Sequence, residues 1–120
     1  KLHVVCIHFD LFRHHRQRQL KILSVYLAAH IPKNEPVIVA GDFNDWRGDA
    51  GRHITEGLGL TEIFLETQGR YARTFPSWFP ILPIDRIYYR GVKPLECARY
   101  HQAPWHQLSD HTPLYAAFEL

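Results

Sequence analysis

The 120-residue sequence predicts an α/β fold. Three observations carry that expectation. Residues 2–9 are rich in branched and aromatic side chains, residues 13–30 carry apolar positions at helical spacing, and residues 36–40 form a short continuous apolar run. Strand, helix and strand within about forty residues make a βαβ unit, for which a right-handed crossover and parallel strands are expected.

Each element has its own signal. Residues 2–9 (LHVVCIHF) read as a buried strand, with Cys6 a small side chain inside it. In the helix at 13–30, Leu20, Leu23, Leu27 and Ile31 fall on one face, and Pro32 stops it. Residues 36–40 (PVIVA) have the uninterrupted character of a strand covered on both faces. Residues 50–58 read as a short helix ended by Gly57 and Gly59, and residues 67–83 as a loop punctuated by Pro76, Pro80 and Pro83. Strands at 84–90 and 92–100 are joined at Gly91, and residues 112–120 form the last strand.

Composition narrows the function classes. With 46% hydrophobic and 22% charged residues, the chain reads as one soluble globular domain with a modest core. No apolar run reaches the ~20 residues of a membrane span, and the opening KLHVV lacks the pattern of a signal peptide. Two cysteines, Cys6 and Cys97, exclude a disulfide framework and a Cys-x-x-Cys zinc site, so a cytoplasmic location is expected. A formal charge of +2 does not by itself indicate nucleic acid or anionic membrane. The nine histidines are scattered without metal-type pairs, which argues against a histidine-rich metal-binding protein. The strand at residue 2 has no lead-in, so an upstream segment is expected to belong to the fold.

The polar residues that interrupt apolar runs fall where parallel strands gather their loops. His8 ends the first strand. Asp42 and Asn44 follow the second and, in an extended chain, would point to the same side, offering a carboxylate and an amide donor. Gly41 allows a sharp turn there. Asp110 and His111 offer a carboxylate and an imidazole on adjacent loop residues. Asp85 interrupts an apolar segment and needs a partner, either its neighbour Arg86 or a distant histidine that it would orient.

Taken together, Ile7-His8-Phe9, Val39-Ala40-Gly41-Asp42-Phe43-Asn44, Ile84-Asp85-Arg86-Ile87 and Ser109-Asp110-His111-Thr112-Pro113-Leu114 resemble, in order, the motifs of the C-terminal half of the endonuclease/exonuclease/phosphatase superfamily. The resemblance implies half of a four-layer αββα sandwich with a mixed β-sheet, residues 1–120 being the C-terminal half of the domain. It implies a metal-dependent phosphoesterase that hydrolyses a phosphodiester or phosphomonoester by activated water. His111, oriented by Asp85, would act on the scissile phosphate, Asp42 would activate water, and Asn44 and His8 would donate to the phosphoryl oxygens. Asp110 would help hold Mg²⁺ or Mn²⁺. The family's N-terminal half supplies an Asn and a metal-binding Glu, and no glutamate here matches that Glu.

Substrate contacts are expected from Trp46, just past the Asp42–Asp45 loop, and from Thr74, which opens the aromatic stretch Thr74-Phe75-Pro76-Ser77-Trp78-Phe79-Pro80. Those aromatics would stack on a base or sugar, dip into a lipid interface, or close the core. Arg13, His14, His15, Arg16 and Arg18 would face a phosphate or form a solvated helix face. The substrate is expected to be a phosphate ester of nucleic acid, phospholipid or a small molecule. Partnership with an N-terminal half, or self-association, would complete the fold. The alternative is a noncatalytic half-domain that keeps the family fold and pairs through its uncovered sheet.

Overall fold

The computed structural model describes residues 1–120. In chain order the elements are β1 (His3–His8), α1 (Arg13–His30), β2 (Val37–Asp42), α2 (Asp49–Leu58), β3 (Thr61–Glu62), α3 (Ile63–Gln68), β4 (Asp85–Arg90), β5 (Lys93–Arg99), α4 (Trp105–Leu108) and β6 (Leu114–Glu119). β1 and β2 pair in parallel across α1, as the βαβ pattern requires, while β4 runs antiparallel to β2. The strand order β1-β2-β4-β3 therefore makes a mixed sheet, and β5 and β6 form a separate antiparallel pair.

Alternation decides what each face of the sheet meets. Val37, Val39 and Tyr88 point to the helix side and are buried against Leu20, Leu23, Leu27 and Ile31 from the first helix region, and against Ala50 and Ile54 of α2. At about 1.5–3 kcal/mol for each fully buried large aliphatic side chain, this cluster is the chief reason the helices stay on the sheet. On the other face, Ile38, Ile87 and Tyr89 pack against α3 and the β5–β6 hairpin through Ile63, Phe64, Leu114, Ala116 and Phe118.

The far face is covered only in part. Cys6, expected to be buried, is exposed. β1 alternates, so Val5 and Ile7 join the core while Val4, Cys6 and His8 are exposed on the opposite face. Likewise β2 is not covered on both sides: Val37 and Val39 are buried, but Ile38 and Ala40 are only half-buried.

The elements absent from the sequence expectation are β3, α3 and α4. Glu62 caps α3 by accepting from Leu65 N, and its other oxygen takes Ile87 N. Burial raises the Glu62 carboxyl above its usual range, against the lowering effect of those two N–H donors.

Gly41 has a steric reason to be glycine. Its φ is +143°, and a Cβ placed there would lie 1.9 Å from the Ile7 carbonyl oxygen on β1. Gly41→Ala is expected to cost about 2–4 kcal/mol, read as a lower urea midpoint, because both the backbone conformation and the β1–β2 spacing must yield.

Candidate functional site

Register places three polar side chains in one row. His8 is the pairing partner of Asp42, and Asp42 that of Asp85. Since Val5, Ile7, Val39 and Tyr88 face the helices, all three project from the opposite face, at the edge where β1 and β2 end and β4 begins.

A fourth residue arrives on the loop before β6. His111 Nδ1 lies 2.6 Å from Asp85 Oδ2, so the Nδ1–H donates to the carboxylate and Nε2 is left facing Asp42 Oδ2 at 3.8 Å. His8 Nε2 is 3.7 Å from the same Asp42 oxygen. Asp42 therefore sits between two imidazoles, neither within hydrogen-bond distance of it.

Two loops clamp His111. Ser77 N donates to Asp110 O at 2.8 Å and Thr112 N to Thr74 O at 2.7 Å. Ser77 Oγ donates to Ser109 O at 2.6 Å. The Phe75 ring lies 5.2 Å from the His111 ring. A cavity of about 360 Å³ opens beside these groups, lined in part by Gly41, Asp85, Ser109 and His111.

Electrostatics follow from this packing. Burial raises the Asp42 carboxyl, opposed by the Asn44 N–H and reinforced by the Asp85 charge, while His111 and His8 pull it down. For His111, burial favours the neutral ring, but the hydrogen bond it donates to Asp85 and the charges of Asp85, Asp42 and Asp110 outweigh it. The imidazole is held above its ordinary 6.5.

Several sequence expectations change here. Extension through Phe43 was the condition for Asp42 and Asn44 to share a side; the chain turns directly after it, at Asn44, which adopts φ 48°. Its N–H donates to Asp42 Oδ1 at 2.9 Å and its side-chain Nδ2 to Phe9 O at 2.7 Å, leaving one amide hydrogen for a ligand. Asp85 does not pair with Arg86. Neighbours in a strand point to opposite faces, and Arg86 joins Asp45 on the helix side at 2.9 Å. Thr74, expected to touch substrate, is fully buried and donates to Asp85 Oδ2 at 2.5 Å, so it holds the carboxylate that holds His111. Trp46 is 47% exposed, with the Arg47 guanidinium 4.7 Å from its ring centre.

The basic start of α1 lies elsewhere. Arg13 and Arg16 line a groove of about 520 Å³ between α1 and α2, where Arg13 is 3.5 Å from Asp49. The roles of Thr74 and Asp45 were missed in the sequence. A polar residue inside the aromatic stretch, and an arginine out of phase with Asp85, were the available signals for them.

The cluster also has the chemistry of a metal site. One ligand atom each from Asp42, Asp85 and His111 lie within 4.8 Å of one another, and the absence of thiolate suits a hard divalent cation. His111 Nδ1 is committed to Asp85, however, which leaves the carboxylate oxygens as a partial shell. An octahedral ion would draw its other ligands from water, substrate or groups outside this chain. Asp110, expected to be the metal ligand, is exposed and outside the cluster.

Comparison with known proteins agrees with this geometry. Residues 2–111 match the Endonuclease/Exonuclease/phosphatase family. The uncharacterized protein YbhP of Escherichia coli is 44% identical over 119 residues, covering 99% of this chain and 47% of YbhP. The chain thus spans about half the length of the curated relatives it matches. Among solved structures, the endonuclease/exonuclease/phosphatase from Bacteroides vulgatus is 26% identical with a TM-score of 0.77, over 94% of this chain and 47% of that one. A humanized D. rerio TDP2 carrying 14 mutations shares the fold with a TM-score of 0.79 at 21% identity, over 100% of this chain and 56% of that one. With its motif residues gathered at one sheet edge and the family match running nearly end to end, the chain belongs to the Endonuclease/Exonuclease/phosphatase family.

Proposed function

We propose that the complete protein is a metal-dependent phosphoesterase and that residues 1–120 form the C-terminal half of its four-layer αββα catalytic domain. The observation that carries this reading is the Asp85–His111 hydrogen bond, with Asp42 facing the free nitrogen of the same imidazole. The coverage of 47% of YbhP supports a domain that extends beyond these 120 residues.

Phosphoryl transfer demands positioning and charge neutralisation more than covalent chemistry. His111, protonated and oriented by Asp85, donates from Nε2 to the phosphate or to the leaving oxygen. Asp42 accepts the proton of the attacking water. His8, on the exposed side of Asp42, and the remaining Asn44 amide hydrogen steady the phosphoryl oxygens as charge builds on them. Asp42 and Asp85 would contribute to holding Mg²⁺ or Mn²⁺, which would neutralise phosphoryl charge. The substrate is a phosphate ester.

The test is hydrolysis of bis(p-nitrophenyl) phosphate and p-nitrophenyl phosphate with and without Mg²⁺ or Mn²⁺, beside Asp42→Asn. It is run on the 120-residue chain and on the chain extended by the preceding part of its reading frame. Turnover that requires metal and falls by about a hundredfold to a thousandfold in Asp42→Asn is expected of the extended protein. Absence of metal-dependent turnover there would leave the noncatalytic half-domain, which the partly uncovered face of β1 also suits.

A further inference from the structure

The peptide unit that joins Phe9 to Asp10, just past the end of β1, is held at both of its polar atoms. Its carbonyl, Phe9 O, accepts the Asn44 Nδ2–H at 2.7 Å, and its N–H, on Asp10, donates to Gln19 Oε1 at 2.7 Å. The C=O and N–H of a trans peptide share a plane and point opposite ways, so holding one aims the other. The Asp10 N–H has no second acceptor in the chain. Gln19 belongs to α1, which Leu20, Leu23 and Leu27 anchor to the sheet, so its amide is presented from a fixed support. Arg16, three residues earlier on the same helix, donates to the Leu11 carbonyl and ties down the next part of the connection.

Asn44 depends on outside support for its orientation. It lies beyond the end of β2 at φ 48°, with its own N–H committed to Asp42 Oδ1. Its side chain spends one amide hydrogen on Phe9 O, and the plane of that bond decides where the other one points. A cavity of about 390 Å³ opens here, lined by His8, Phe9, Asp10, Leu11, Gln19 and Asn44, so the two amides and the His8 ring border one space.

We propose that Gln19 is a positioning residue for the candidate site: by holding the Asp10 N–H it aims the Phe9 carbonyl, and through that carbonyl the free Asn44 amide hydrogen. That this hydrogen meets a phosphoryl oxygen rests on the phosphoesterase reading; the placement of the Asn44 amide does not. A glutamine that only fastened the β1–α1 connection to the helix would stabilise the fold without governing Asn44, and the experiment is chosen to separate the two.

Nitrogen-15 NMR of the 120-residue chain, without metal or substrate, reads the Asn44 side-chain amide, which is identified by its loss in Asn44→Gly. Glycine suits the positive φ of that position. Gln19→Leu keeps a strong helix former in α1 and removes the acceptor, whereas Gln19→Glu retains an acceptor. In Gln19→Leu the Asp10 amide should exchange about tenfold faster with solvent. The two Asn44 Nδ2 protons should also lose the shift difference that the bond to Phe9 O gives one of them. Gln19→Glu should preserve both signatures. In the extended protein with metal, Gln19→Leu should lower kcat by about tenfold to a hundredfold while KM changes by less than about threefold. Placed on an Asn44→Gly background it should lower kcat by less than about twofold more, since the group it aims is already gone. Asn44 signals unmoved by Gln19→Leu, or moved as far by Gln19→Glu, would overturn the proposal. So would kcat effects of Gln19→Leu and Asn44→Gly that simply multiply. Absence of turnover in the extended parent would overturn the phosphoesterase reading alone, and the Asn44 signals would still decide what places its amide.

Discussion

Arg86→Met is expected to destabilise the fold by about 3–5 kcal/mol, one of the largest single-residue effects in the chain. Arg86 is 1% exposed, and its Nη1 lies 2.9 Å from Asp45 Oδ2. Its Nη2 donates to the Asp45 carbonyl and, at 3.1 Å, to the Pro83 carbonyl. The guanidinium also sits 3.8 Å from the Tyr71 ring centre. Methionine fills much of the same volume but leaves Asp45, itself 2% exposed, as a buried carboxylate without its cation. Asp45 Oδ2 also accepts Gly51 N, so the start of α2 loosens as well. Urea denaturation should show the midpoint falling with little change in slope. Arg86→Met/Asp45→Asn should recover part of the loss, because the amide keeps an acceptor for Gly51 and carries no charge. A loss below about 1 kcal/mol in the single variant would mean that the pair is not buried as described.

This ion pair shows where the sequence was legible and where it was not. The βαβ unit, the apolar face of α1 and the four motifs were readable because each is a local pattern: a period, a run or a short polar interruption. The gathering of His8, Asp42 and Asp85 could be anticipated because strand register is a simple extension of such patterns. Partner choice was harder. Whether Asp85 takes Arg86 or a histidine depends on which face each side chain uses, and that is fixed only when the strand is placed between the helices and the hairpin. Thr74 is the same case, since polar residues on loops look alike in sequence whether they meet substrate or brace a carboxylate. Cys6 and β2 went wrong for a different reason. A continuous apolar run predicts cover on both faces, yet in this chain α1 and α2 cover one face and the hairpin covers only part of the other. The remainder of that face is exposed, as the proposal that residues 1–120 are half of a larger domain requires.

Under the proposed phosphoesterase function, Asp85→Asn is expected to cost the complete protein about a hundredfold to ten-thousandfold in kcat, because His111 loses the charge that orients it and favours its protonated form while its surroundings keep their shape. The pH profile separates this from a structural defect. The wild-type rate should rise as Asp42 loses its proton, at a pH above the ordinary carboxyl value of 3.8 because burial holds that proton on. It should fall again as His111 deprotonates above 6.5, where the Asp85 hydrogen bond and the carboxylate charges outweigh burial. The two limbs are macroscopic properties of a coupled cluster. Asp85→Asn should move the alkaline limb to lower pH. Stability follows the same signs. His111, with its raised value, contributes stability that is fully present below about 6.5 and is lost as pH rises through its folded value. Asp42, also raised, likewise favours the native state while protonated and weighs against it once ionised. Proton-detected NMR of the 120-residue chain reads the His111 titration directly, without metal or turnover. A His111 midpoint at or below 6.5, or one that Asp85→Asn leaves unmoved, would detach the imidazole from its carboxylate and with it the acid role assigned to His111.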